Sequence, residues 1–170
     1  YMGTSTFSEY TVLPEIAPSG LSLLHALVAA EGKAGIAPDG LRRLSALLPR
    51  DGPVVQAVAA RLKLSNKAKK RLACAAGTDV GGSPEALAYR VGNDCAVDRL
   101  LLAGQARDAA RIPEWTAPRL PIGGGALIAR GLTEGPIVAA TLRAIEDRWV
   151  AAGFPEGDAF ERIVAECLAS

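Results

Sequence analysis

The stretch from Pro121 to Pro155, PIGGGALIARGLTEGPIVAATLRAIEDRWVAAGFP, constrains the fold more than any other part of the chain. It opens on a glycine run, Gly123 to Gly125, followed by a short helical phrase, Ala126 to Arg130, that stops at Gly131. Gly135-Pro136 then opens a long helix, because the N–H that proline lacks would have no partner in a first helical turn. Val138, Leu142, Ile145, Trp149 and Ala152 recur at steps of four and three, which makes one apolar helical face. Arg143 and Asp147 stand one turn apart on the other side, and Gly153 with Pro155 predicts the end of the helix.

The rest of the chain follows the same grammar. Ser19 or Gly20 predicts the start of a helix to about Glu31, with Leu24, Leu27 and Val28 as its buried stripe and His25 at the boundary. Asp39 suits the N-cap of a second helix carrying Leu41, Leu44 and Leu48, which Pro49 stops. Pro53 starts a third, with Val54, Val58 and Leu62 inward, and Ser65 caps a fourth, with Ala68, Leu72 and Ala75 inward. Ser83-Pro84 starts a fifth. Asp94 predicts the cap of a sixth, in which Val97, Leu100, Leu101 and Gly104 face inward and Arg107 and Arg111 outward. Pro113, Trp115 and Pro118 then break the chain, and Trp115 reads as a packing plug. A last helix from about Asp158 to Leu168 carries Phe160, Ile163, Val164 and Cys167. No segment alternates with period two. The expectation is therefore an all-α protein of about seven to nine helices with no β-sheet. At 170 residues it builds one core, or two small helical units sharing one.

Charge and cysteine usage narrow the function classes. The apolar fraction of 49% excludes a mainly disordered chain, and a net charge of +1 gives no global pull toward nucleic acid. Any such binding needs a local patch. Arg61, Lys63, Lys67, Lys69, Lys70 and Arg71 supply one, with no acid among them, around the start of the fourth helix. Free N–H groups at a helix start and nearby lysines favour the same sign of ligand, which makes a phosphate site the functional alternative to a solvated helix face. Cys74, Cys95 and Cys167 are far apart and form no CxxC. With His25 as the only histidine they predict reduced thiols in a cytoplasmic protein and no metal site. There is no signal-peptide pattern and no apolar run long enough to cross a membrane. Tyr1 precedes Met2, and residues 1–12 read as a tag remnant or the ragged start of a fragment.

The glycine-ended short helix, the Gly-Pro start and the helix closing in Trp-x-x-x-Gly-Phe resemble the C-terminal part of bacterial CCA-adding tRNA nucleotidyltransferases, which share a family with bacterial poly(A) polymerases. Gly125, Leu127, Ile128, Gly131, Gly135, Pro136, Leu142, Glu146, Trp149, Gly153 and Phe154 carry the resemblance, and VLPEIAPSGL at 12–21, LRRLSALLP at 41–49 and RLKLSNKAKKRL at 61–72 agree with it. The resemblance implies that residues 13–112 are the end of the neck and the body, and that 113–170 are the tail. It implies that the helices hold the acceptor and upper arm of tRNA beside the parent's own N-terminal catalytic domain. Mg²⁺ with CTP or ATP would belong to that domain, before Tyr1, and no cofactor to this chain. Arg61, Lys63, Lys67, Lys69, Lys70 and Arg71 are then the first candidates for RNA contact, and Arg119, Arg130 and Arg143 the second.

No catalytic set accompanies them. Gly81-Gly82-Ser83 followed by Asp94 imitates the glycine pair and Asp-x-Asp of nucleotidyltransferases, but Ala96 stands where the second metal-holding acid is needed. Glu146-Asp147-Arg148 departs from the family's Glu-Asp-x-x-Arg motif, since Val150 occupies the arginine position. The glycine run lacks the third glycine of a dinucleotide loop, at Ile128, and the Gly-Lys-Ser/Thr of a phosphate loop. The serines have no histidine partner for a hydrolase triad. The alternative from another class is a helical protein-interaction or dimerisation domain, a homo-oligomer with no RNA role, which amphipathic helices would serve equally well.

Overall fold

A computed structural model describes residues 13–16, 18–133 and 135–169; residues 1–12 lie outside the described residues. Among these there are ten α-helices and no strand. They are α1 (Pro18–Ala34), α2 (Gly40–Leu47), α3 (Gly52–Arg61), α4 (Asn66–Ala75), α5 (Pro84–Val91), α6 (Asn93–Leu102), α7 (Ala106–Ala109), α8 (Gly124–Ala129), α9 (Pro136–Ala151) and α10 (Gly157–Leu168). The protein is all-α, as the sequence predicts. The tenth helix arises because Gly104, at φ 77°, divides the expected sixth helix into α6 and the short α7. No helix among the described residues is long and apolar enough to cross a membrane.

Short polar side chains start the helices. The carboxylates of Asp39 and Asp51 and the hydroxyls of Ser65 and Ser83 each accept the backbone N–H three residues on, at 3.0 to 3.2 Å. Helix α6 departs from the expectation. Asp94 lies inside its first turn, and Gly92 takes the N-cap position with no side-chain bond to the exposed N–H groups. Helix α1 departs too, because it begins at Pro18 and buries Gly20 in its first turn.

The Trp-x-x-x-Gly-Phe phrase has a structural cause. Gly153, at φ 81°, lets the chain leave α9 by a left-handed cap in which Phe154 N–H donates to Trp149 O and Gly153 N–H to Val150 O. The turn folds Phe154 edge-on against Trp149 at 5.0 Å between ring centroids, and the Trp149 indole donates to Pro155 O at 3.0 Å. Thus the tryptophan, the glycine and the phenylalanine form one packing unit. Val150 joins the buried face of α9, while Ala152 is exposed.

Three apolar clusters hold the helices together. The first gathers Leu27, Leu87, Leu100, Leu101 and Ile112 from α1, α5, α6 and the segment after α7. The second gathers Leu127, Ile145, Trp149, Phe160 and Val164 from α8, α9 and α10, with Ala86 of α5. The third joins α3 and α4 to the end of α2 through Leu48, Val55, Val58 and Leu72. Each fully buried leucine or isoleucine contributes roughly 1.5–3 kcal/mol by leaving water. Trp115 packs on the first cluster and lies 5.6 Å from Phe154 of the second, so it ties the two. On α1 the buried stripe is Leu27, Ala30 and Glu31, and the expected Val28 stays 41% exposed beside Leu21 and Leu23.

Glu31 is buried because cations meet it. Arg42 donates to Glu31 at 2.9 Å and to Asp98 at 2.8 Å, and Arg43 donates to the second Glu31 oxygen. Arg71 donates to both oxygens of Asp98 and to Asp39. Three arginines and three acids thus join α1, α2, α4 and α6. No buried side-chain nitrogen or oxygen among the described residues lacks a partner.

Candidate nucleic-acid interface

Helix α4 turns Leu72 and Ala75 inward, so its lysines stand on the flanks. Lys67 and Lys70 line a groove of about 380 Å³ with Arg71, Cys74 and the residues from Val91 to Cys95. Lys69 and Lys70 edge a second groove of about 290 Å³ with Gln56, Ala60 and Ala73. Lys63 sits just before the Ser65 cap at φ 52°, a left-handed position that usually goes to glycine, where its N–H and that of Leu64 close the end of α3. Among the described residues none of the four lysines has a carboxylate partner.

The two arginines of the same run are occupied otherwise. Arg61 pairs with Glu15 at 2.7 Å, and this hydrogen bond holds the Glu15 carboxyl below its ordinary range. The hydrogen bond to Asp98 outweighs burial and holds the Arg71 guanidinium above its ordinary range. Burial raises the Asp39 carboxyl, but the bonds from the Arg42 N–H and from Arg71 outweigh it and leave Asp39 below its usual range. Arg71 therefore forms the groove wall with its guanidinium committed to two acids.

The second set of candidates is dispersed. Arg119 lines a groove that also holds Glu156 and Glu161. Arg130 donates to both oxygens of Glu161, at 2.9 and 3.2 Å. Arg143 is exposed on α9, with no carboxylate partner among the described residues.

Two features of the α4 groove carry no mark in the sequence. The first is the start of α6, whose Gly92, Asn93 and Asp94 line the same groove as Lys67 and Lys70 and whose N-cap makes no side-chain bond. Asn93 fixes that start by donating to Ile112 O and Trp115 O. The second corrects the expectation of three reduced thiols. Cys74 of α4 and Cys95 of α6 form a disulfide, with Cα atoms 6.0 Å apart, while Cys167 is free. Packing of α4 on α6 creates this pair. Nearby, Arg99 donates to Cys74 O and Asp79 O, and Arg50 donates to Gly77 O. Burial and then the like charge of Arg99 hold the Arg50 guanidinium below its ordinary range.

No group of three or more His, Cys, Asp or Glu among the described residues could hold a metal ion, and Asp94 stands on a helix beside the disulfide. Glu146 has another task. It accepts the Tyr89 hydroxyl at 2.6 Å across α5 and α9, and that bond, with burial second, pushes the phenol from 10.0 up to about 12. Tyr89 should therefore keep its proton past pH 10.0. Its contribution to stability is full below that pH and is lost as pH rises through about 12. Alkaline absorbance titration beside Tyr89→Phe should show the late-ionising phenol vanish in the variant. No family model matches this chain, and neither does any curated protein.

Proposed function

We propose that this chain is a tRNA-holding helical region of the kind found in CCA-adding tRNA nucleotidyltransferases. It grips the acceptor and upper arm by phosphate and shape. Mg²⁺ with CTP or ATP is handled by a catalytic domain of the same parent, and a cytoplasmic location goes with this reading. The observation that supports it most is the state of the basic run. Arg61 and Arg71 are tied to acids, whereas Lys63, Lys67, Lys69 and Lys70 have no carboxylate partner among the described residues. Arg119, Arg130 and Arg143 are secondary contacts, since acids accompany the first two.

The test is tRNA binding by the chain across a salt series, beside a variant with Lys67, Lys69 and Lys70 changed to Ala. Arg71 stays, because removing it would disturb the buried ion pairs. We expect binding that weakens as salt rises, with the variant lowering the slope of log K against log salt by roughly two to three. Affinity and slope unchanged in the variant would sink the α4 assignment and move the contact toward Arg119, Arg130 and Arg143. A second reading has one observation in its favour: Leu21, Leu23 and Val28 stay exposed on α1. A mass that grows with concentration, without tRNA affinity, would select this protein-interaction or dimerisation role instead.

A further inference from the structure

We propose that the Cys74–Cys95 disulfide is a reversible redox clamp that sets the spacing of α4 and α6, and so the shape of the basic groove between them. Four observations lead there. The bridge spans two helices that both line the groove: Lys67, Lys70 and Arg71 stand on one side and Asn93 and Asp94 on the other. One of its sulfurs is within reach, since Cys74 lines the groove and is only half-buried, whereas Cys95 is 4% exposed. Each sulfur has a group that favours its reduced, anionic form. The Arg99 guanidinium lies 3.8 Å from Cys74 Sγ, and Cys95 sits in the first turn of α6, whose N–H groups have no side-chain cap. Finally, α4 and α6 stay joined without the bridge, through Arg71–Asp98 and through Arg99 on Cys74 O. Opening it therefore loosens the groove and leaves the fold in place.

The reductant is a dithiol. Its thiolate attacks the more accessible Cys74 Sγ, the S–S bond breaks, and Cys95 leaves as a thiolate that takes up a proton. The second thiol of the reductant then closes on the first and releases Cys74. The protein gains two thiols, and the dithiol is oxidised to a disulfide.

The influence on RNA rests on the tRNA-holding reading, and the clamp itself does not. The experiment uses the full chain in its oxidised form and after dithiothreitol under native conditions. Reactive thiols should rise from Cys167 alone to include Cys74 and Cys95. Amide hydrogen exchange should speed up in the last turn of α4, which carries Cys74, and in α6 just beyond its first turn, while α9 and α10 hold their protection. tRNA affinity should change by at least about fivefold and return on reoxidation. Cys74→Ser, and separately Cys95→Ala, should be fixed near the reduced value and be blind to dithiothreitol. The clamp is overturned if the bridge opens only when the whole chain unfolds, or if it opens with no change in exchange at α4 and α6. Equal tRNA affinity in both states overturns its influence on the groove. Absence of tRNA binding in either state refutes the RNA reading and that influence, and the exchange data still decide the clamp.

Discussion

Replacing Asp98 with alanine should cost about 3–5 kcal/mol, a large share of the 5–15 kcal/mol that holds a typical domain together. Asp98 is 1% exposed and accepts three bonds, one from Arg42 and two from Arg71, at 2.7 to 2.9 Å. Its removal leaves two guanidinium groups facing a void. Arg71 could still turn to Asp39, but Arg42 is itself buried and has only Glu31 and Ala37 O left. The penalty is thus an uncompensated buried charge, which exceeds the worth of the lost pairs themselves. Asp98→Asn should fare little better, since its amide turns donors toward donors. Urea unfolding gives the number. Arg43→Ala is the control, because Arg43 is half-exposed and its partner Glu31 keeps Arg42. A loss for Asp98→Ala no larger than that of Arg43→Ala would refute the central role of the network.

Gly20→Ala should destabilise by about 2–3 kcal/mol, against the usual preference for alanine in a helix. A Cβ at Gly20 would lie 2.6 Å from Leu47 O and 3.1 Å from Leu47 Cα. These are backbone atoms at the end of α2, which Arg42 and Ala46 fix in place, so they have no room to yield. The same substitution at Gly32, near the other end of α1, meets nothing within 4 Å and should stabilise by roughly 0.5–1 kcal/mol. Thermal unfolding of the two variants should therefore give shifts of opposite sign. A gain in both would show that α1 and α2 can part at that point without loss.

Much of the helical order was legible locally. Asp39, Ser65 and Ser83 cap where their residue types predict, because an N-cap depends on a side chain and a backbone only three residues away. The stripes of α4, α9 and α10 were legible through their period. Errors fell where local rules were ambiguous. Asp94 offers a cap that Gly92 takes, Val28 fits a stripe that turns outward, and Gly104 breaks a helix that its neighbours would continue.

The candidate site divides the same way. The sequence by itself determined that the chain is helical, that its basic charge gathers from Arg61 to Arg71, and that the stretch ending in Gly153-Phe154 closes a long helix. All of these rest on contacts within a few residues along the chain. Which cations face solvent was decided only by the tertiary structure. Arg71 meets Asp98 twenty-seven positions away, and Arg61 meets Glu15 forty-six away. The Cys74–Cys95 bridge and the joining of the α6 start to the α4 lysines arise in the same manner. Spacing carries no signal for such pairs, because packing of whole helices, driven by apolar burial, fixes which charges and thiols become neighbours.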